Sequence, residues 1–223
     1  MIPSNLIEII LIDGIPLILA ITLHEAAHGY AAKMLGDRTA AFLGRVSLNP
    51  LKHIDPVGTI LIPLMLKLAG APFLFGYAKP VPVDFRNLRN PKKDMIWVAL
   101  AGPASNMVQA LLWGAVFYIN LRLFAGTNHF LNAMANAGMS WNLVLAIFNL
   151  FPIPPLDGGR ILVGLLPYKQ ARTLSGLENY GIFIVIGLSM LGILGPLWMQ
   201  PLMTIAEIIL SLLLSPLKLI LGL

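Results

Sequence analysis

From Leu6 to Leu35 the chain is mostly apolar, yet it carries His24, Glu25 and His28 within the run Leu23-His24-Glu25-Ala26-Ala27-His28-Gly29. A helix of that length can cross a bilayer, whose hydrocarbon layer takes about 20 residues. Ionisable groups deep in lipid are expensive to keep, and they turn toward a bundle interior or a wet cavity. The H-E-x-x-H spacing places two imidazoles one helical turn apart on one face, with a carboxylate beside them. That pattern suits a metal held by both His and a water worked on by the Glu. The bland alternatives are a hydrogen-bonded His pair and a Glu reaching for the interface; their joint spacing favours the metal.

The rest of the 223 residues have the same character: 57% are hydrophobic and 11% charged, against about 25% charged in soluble domains. The expectation is an all-α polytopic membrane protein, a single domain over 1–223 with its core at about 6–160 and accessory helices at 180–223. The net charge of +5 suits an anionic leaflet rather than nucleic acid. The absence of cysteine excludes disulfides and thiol chemistry. No Lys or Arg precedes Lys33, so the first helix is read as uncleaved, with its N-terminus outside.

Further helices are expected at Met95–Phe124, Leu131–Leu150, Tyr180–Leu194 and Leu202–Leu221, with a polar linker at Pro167–Asn179. Thr39–Asn49 mixes β-branched, aromatic and polar residues before Pro50, and reads as a short β element near the interface. Val57–Phe75 is apolar but broken by Gly58, Pro63, Lys67, Gly70 and Pro72. It reads as a re-entrant dip rather than a straight span.

Catalytic zinc takes three protein ligands, so a third is needed. Asp157 follows the proline-broken run Phe151–Leu156 and precedes Gly158-Gly159. Such breaks line cavities in membranes. The competing reading makes Asp157 a turn or cap residue; His53 is the fallback ligand, and His129 reads as solvated on the outer side. Both half-sites lie toward the C-terminal ends of their helices, and they share a face only if Val57–Phe75 dips and returns. Charge agrees. The re-entrant path puts 13 Lys and Arg on one side against Arg122 on the other, whereas a full span gives 9 against 5. The positive-inside rule then predicts five crossings, a cytoplasmic C-terminus and a metal nearer the cytoplasmic face.

Asn106 and Asn149 are carboxamides at membrane depth, able to donate to an oxyanion or to glue helices together. Arg45–Leu48, or the Pro-spaced run Lys79–Val83, offers an edge for an extended peptide.

The ordered set His24-Glu25-Ala26-Ala27-His28, Asn49-Pro50 through Asp55-Pro56, Gly76-Tyr77-Ala78-Lys79-Pro80-Val81-Pro82-Val83, Ala101-Gly102-Pro103-Ala104-Ser105-Asn106 and Asn149-Leu150-Phe151-Pro152 through Leu156-Asp157-Gly158-Gly159 resembles the site-2 proteases, intramembrane zinc metalloproteases of the compact prokaryotic type. The resemblance covers roughly Leu23–Arg160. It implies one Zn2+ held by His24, His28 and Asp157, Glu25 as general base, a transmembrane protein substrate, and a place in the cell (inner) membrane of a prokaryote. Two rival readings are a catalytically silent scaffold and a metal-transport protein. Two His and a carboxylate also accept iron or cobalt.

Overall fold

The computed structural model describes residues 4–62, 65, 68 and 78–223. The principal α-helices, in chain order, are α1 (Ser4–Met34), α2 (Thr39–Phe42), α3 (Pro91–Phe124), α4 (His129–Asn149), α5 (Asp157–Leu165), α6 (Tyr168–Ser175), α7 (Gly181–Met190) and α8 (Gln200–Leu221). Three stretches, Ile10–Met34, Pro91–Phe124 and Gly195–Leu221, are long and apolar enough to cross a membrane. The architecture is that of an all-α integral membrane protein. Of the five expected crossings, α4 has 21 residues but spends four of them on Asn132, Asn136, Asn142 and Asn149. The helix α7 is only ten residues long. The expected dip over Val57–Phe75 lies largely outside the described residues.

The centre of the bundle is α3, which packs against α1, α4, α5 and α8. It starts at Pro91, whose missing N–H costs nothing at a first helical position, and the Asp94 carboxylate accepts from the N–H of Asn90 at 2.8 Å. Ala110 of α3, Leu143 and Ile147 of α4, and Ala206, Leu210 and Leu214 of α8 form one buried cluster. A second cluster, Ala32, Leu88 and Val98, joins α1 to α3 through the chain segment between them.

The end of α1 shows how that segment is tied down. Gly36 has φ +119°, and the N–H of Asp37 returns to Ala32 O at 2.9 Å, closing the helix in a Schellman-like turn. The Asp37 carboxylate is fully buried. It accepts from the N–H and hydroxyl of Thr39 at 3.0 and 2.5 Å, the N–H of Asp84 at 2.8 Å and the amide of Asn87 at 3.3 Å. Burial alone pushes this carboxyl up, but these donors outweigh burial and hold it below the usual carboxylate range.

The same carboxylate overturns the β expectation for Thr39–Asn49. Bonded to the Thr39 N–H, it winds the backbone into the turn that becomes α2 instead of an extended ladder. Ala40 is then buried beside Gly29 of α1, and Gly44 at φ +62° ends the turn. Among the described residues there is no strand. The polar linker at Pro167–Asn179 in turn contains α6; Lys92 of α3 reaches Leu166 O and lies 4.5 Å from the Tyr168 ring centroid at its start.

Asp37→Asn replaces one acceptor oxygen with an NH2 donor and removes the charge, and destabilises the detergent-solubilised chain at neutral pH by about 1–3 kcal/mol. A carboxyl whose folded pKa is depressed stabilises above its unfolded value of about 3.9, and that contribution is lost as pH falls through the folded value. Thermal melts of both proteins therefore differ at pH 7, and the difference shrinks as pH falls below the unfolded value and through the depressed folded one.

Candidate metal centre

His24 and His28 leave α1 toward α3, and Asp157 opens α5. Their donor atoms converge. The two Nε2 atoms are 3.0 Å apart, and Asp157 Oδ2 lies 3.3 Å from that of His24 and 3.2 Å from that of His28. For zinc with bonds of about 2.0–2.1 Å, the edge of a ligand tetrahedron is about 3.3 Å. The triangle has the size of one tetrahedral face.

The second contacts of each ring fix which atoms face inward. His28 Nδ1 lies 2.7 Å from Val98 O, and a backbone carbonyl can only accept, so Nδ1 carries the proton. His24 Nδ1 lies 2.6 Å from Asn106 Oδ1. The Asn106 amide nitrogen donates to Ala20 O at 3.2 Å and to Asn142 Oδ1 at 2.9 Å. Both Nε2 lone pairs therefore point at each other and at a carboxylate oxygen. Three electron-rich atoms at this separation repel unless a cation lies among them. Asp157 Oδ2 is buried and finds no hydrogen-bond partner among the described residues, which also fits an atom reserved for a metal.

The capping reading of Asp157 does not hold. The cap position is Leu156, and no side chain caps α5. Behind Asp157, a Cβ on Gly158 would fall on Leu150 O and one on Gly159 on Pro154 N. The two glycines let the proline-broken link fold back against the start of α5, carrying Asp157 to α1. On the other side, a Cβ on Gly102 of α3 would strike His28 Nε2 and come within 2.6 Å of His24 Cε1. Val98, Gly102 and Asn106 thus stand four residues apart on one face of α3, supplying a carbonyl, a notch and an amide.

Glu25 is half-buried, and its Oε2 accepts from the Val81 N–H at 2.7 Å. Val81 sits in an extended strap held by Lys79 N–H to His53 O at 2.9 Å and by Arg45 Nη2 to Lys79 O at 2.9 Å. Pro80 and Pro82 carry no N–H, and those of Lys79 and Val81 are already used, so the run Lys79–Val83 offers little edge to a peptide. His53 is buried but stands outside the metal cluster, with Nε2 2.8 Å from Ser47 O. His129 is exposed. Asn149 Nδ2 donates to Leu145 O at 3.0 Å, leaving one amide hydrogen. Sequence reasoning passed over Asn142 and Val98, and read Val81 only as part of a possible peptide edge, not as a partner of Glu25. Asn142 has the same carboxamide signal as Asn106, whereas the other two act through backbone atoms that any residue carries.

Gly102→Ala forces the two imidazoles apart. Bound zinc, measured by elemental analysis of the purified chain, falls at least about tenfold, while helical content stays near wild type.

The family model of Peptidase family M50 matches residues 121–192. Over 184 residues, 80% of each chain, the sequence is 39% identical to the "Putative zinc metalloprotease YwhC" of Bacillus subtilis (strain 168). It is 30% identical over 171 residues to the "Putative zinc metalloprotease Rip2" of Mycolicibacterium smegmatis, covering 76% of this chain and 62% of that one. The Rip2 of Mycobacterium tuberculosis (strain H37Rv) is 27% identical over 173 residues, with the same coverages. No solved structure gives a significant match. With a buried His-His-Asp triangle on an H-E-x-x-H helix and this degree of identity, the chain belongs to peptidase family M50, the site-2 protease family of membrane zinc metalloproteases.

Proposed function

We propose that the protein hydrolyses peptide bonds within transmembrane segments of other proteins, with one zinc ion on His24, His28 and Asp157. The observation that carries this reading is the position of the triangle along α1. His24 lies ten residues before Met34, about 15 Å along a helix axis, in a hydrocarbon layer about 30 Å thick. That the half-sites meet at one level supports the re-entrant path for the intervening chain, and the Lys and Arg bias supports a cytoplasmic C-terminus, an N-terminus outside and a site nearer the cytoplasm. Clustering at one level also favours catalysis over ion transport, which strings ligands along a path.

Zinc, when bound, supplies a Lewis acid for the scissile carbonyl and lowers the pKa of a water molecule to about 7. Glu25 is the general base: it accepts the proton of the attacking water as the C–O bond forms, and returns it to the amide nitrogen as the C–N bond breaks. Its bond to Val81 holds one oxygen and leaves the other for the proton. Asn149 has an amide hydrogen to offer the oxyanion. Asn106 has spent both of its own on Ala20 and Asn142, so its task is to orient His24.

A substrate helix must unwind before attack. Val46, Ser47 and Leu48 rim a cavity of about 550 Å³ whose other wall includes Leu23, Ala27 and Gln109. No described residue takes the backbone N–H of Val46 or Leu48, so this rim is the remaining edge for an extended segment.

Two variants test the assignment. Glu25→Gln retains zinc and loses at least about a hundredfold of its cleavage rate on a model transmembrane substrate; equal cleavage by both proteins removes Glu25 from the mechanism. Val46→Pro lowers turnover with zinc content unchanged; turnover equal to wild type takes the substrate off that edge.

A further inference from the structure

We propose that Asn142 of α4 is a positioning residue of the metal centre, setting the tautomer of His24 through Asn106. The inference rests on the metal-centre reading and extends it one residue outward, to a side chain that touches neither His nor metal.

The chain of bonds has only one consistent direction. Gly138 O can only accept, and it lies 2.8 Å from the amide nitrogen of Asn142. That contact turns Asn142 Oδ1 toward Asn106, whose amide nitrogen is 2.9 Å away and must donate. Asn106 Oδ1 then has to face His24 Nδ1, at 2.6 Å, and accept its proton. His24 Nε2 is left with a lone pair aimed at Asp157 and His28. An asparagine amide can rotate by half a turn at little steric cost, so its orientation depends on its partners. Asn106 and Asn142 are both 0% exposed, so bulk water does not reach a misdirected N–H. If the Asn106 amide rotated, its N–H would face Nδ1, favour the proton on Nε2 and close the triangle to a metal. Ala20 O, at 3.2 Å, opposes this rotation on one side; Asn142 Oδ1 is the shorter of the two anchors.

A role in helix packing alone predicts something different. Asn142 joins α4 to α3, so its loss would weaken the bundle without a selective effect on the metal. Asn142→Asp separates the two cases. An ionised carboxylate is costly in an apolar span, so the aspartate stays protonated, with a hydroxyl to give Gly138 O and a carbonyl oxygen to accept from Asn106. Asn142→Leu has similar size and neither group.

The test is zinc affinity of the 223-residue chain in detergent, stripped with a chelator and titrated against a chromophoric competitor, with thermal melts alongside. N142L is expected to bind zinc about tenfold more weakly than wild type, at the low end of what loss of a ligand's supporting bond costs. N142D is expected to bind as wild type does. Wild-type affinity in N142L overturns the proposal, as does a loss in N142D. The second criterion stands even when N142L does not fold. A wild-type chain that binds no zinc overturns the metal centre itself, a failure distinguishable from the loss of Asn142's role alone.

Discussion

In an apolar medium, every polar atom must find its partner within the protein, and that requirement organises this bundle. His24, His28 and Asp157 bring three strong ligating groups into a greasy interior, and each ring spends its second nitrogen on α3. The cost of unsatisfied groups at this depth explains why Asn106 of α3 and Asn142 of α4 turn inward upon one another, while Ile10, Leu19, Val108 and Leu112 face outward.

The centre has two kinds of support. Within the bundle, side-chain amides and a backbone carbonyl fix the imidazole protons. At the edge, the strap through Val81 holds the carboxylate of Glu25, and Asp37 and Arg45 hold the strap. The His24, His28 and Asp157 cluster thus depends on helix packing, whereas the Glu25 carboxylate depends on a loop segment fastened by exposed and half-exposed contacts. The geometry of the cluster and that of the Glu25 carboxylate can therefore vary separately in this fold.

Much of the site was legible because its chemistry carries a period. His24 and His28 show themselves at helical spacing, and Asp157 follows from the need for a third ligand next to a broken helix. Helix boundaries came within a few residues for α1, α3, α4 and α8. What escaped has a common cause. The strand expected at Thr39–Asn49 yields to a carboxylate two positions upstream, a local bond that outweighs the β-branched and aromatic pattern. Val98 and Val81 act through main-chain atoms, which composition cannot reveal. Asn142 carried a visible signal, but its meaning depends on Asn106 and Gly138 standing beside it in space.

The carbonyl of Val98, the notch at Gly102 and the amide of Asn106 share one rigid row. A turn or slide of α3 by a single position would therefore misplace all three together, swinging side chains into the gap and carrying off both ring partners. Metal capture becomes a gauge of how that helix is seated. On the proposed reading, a chain that inserts with α3 out of register would emerge without the means to hold an ion, and so without activity.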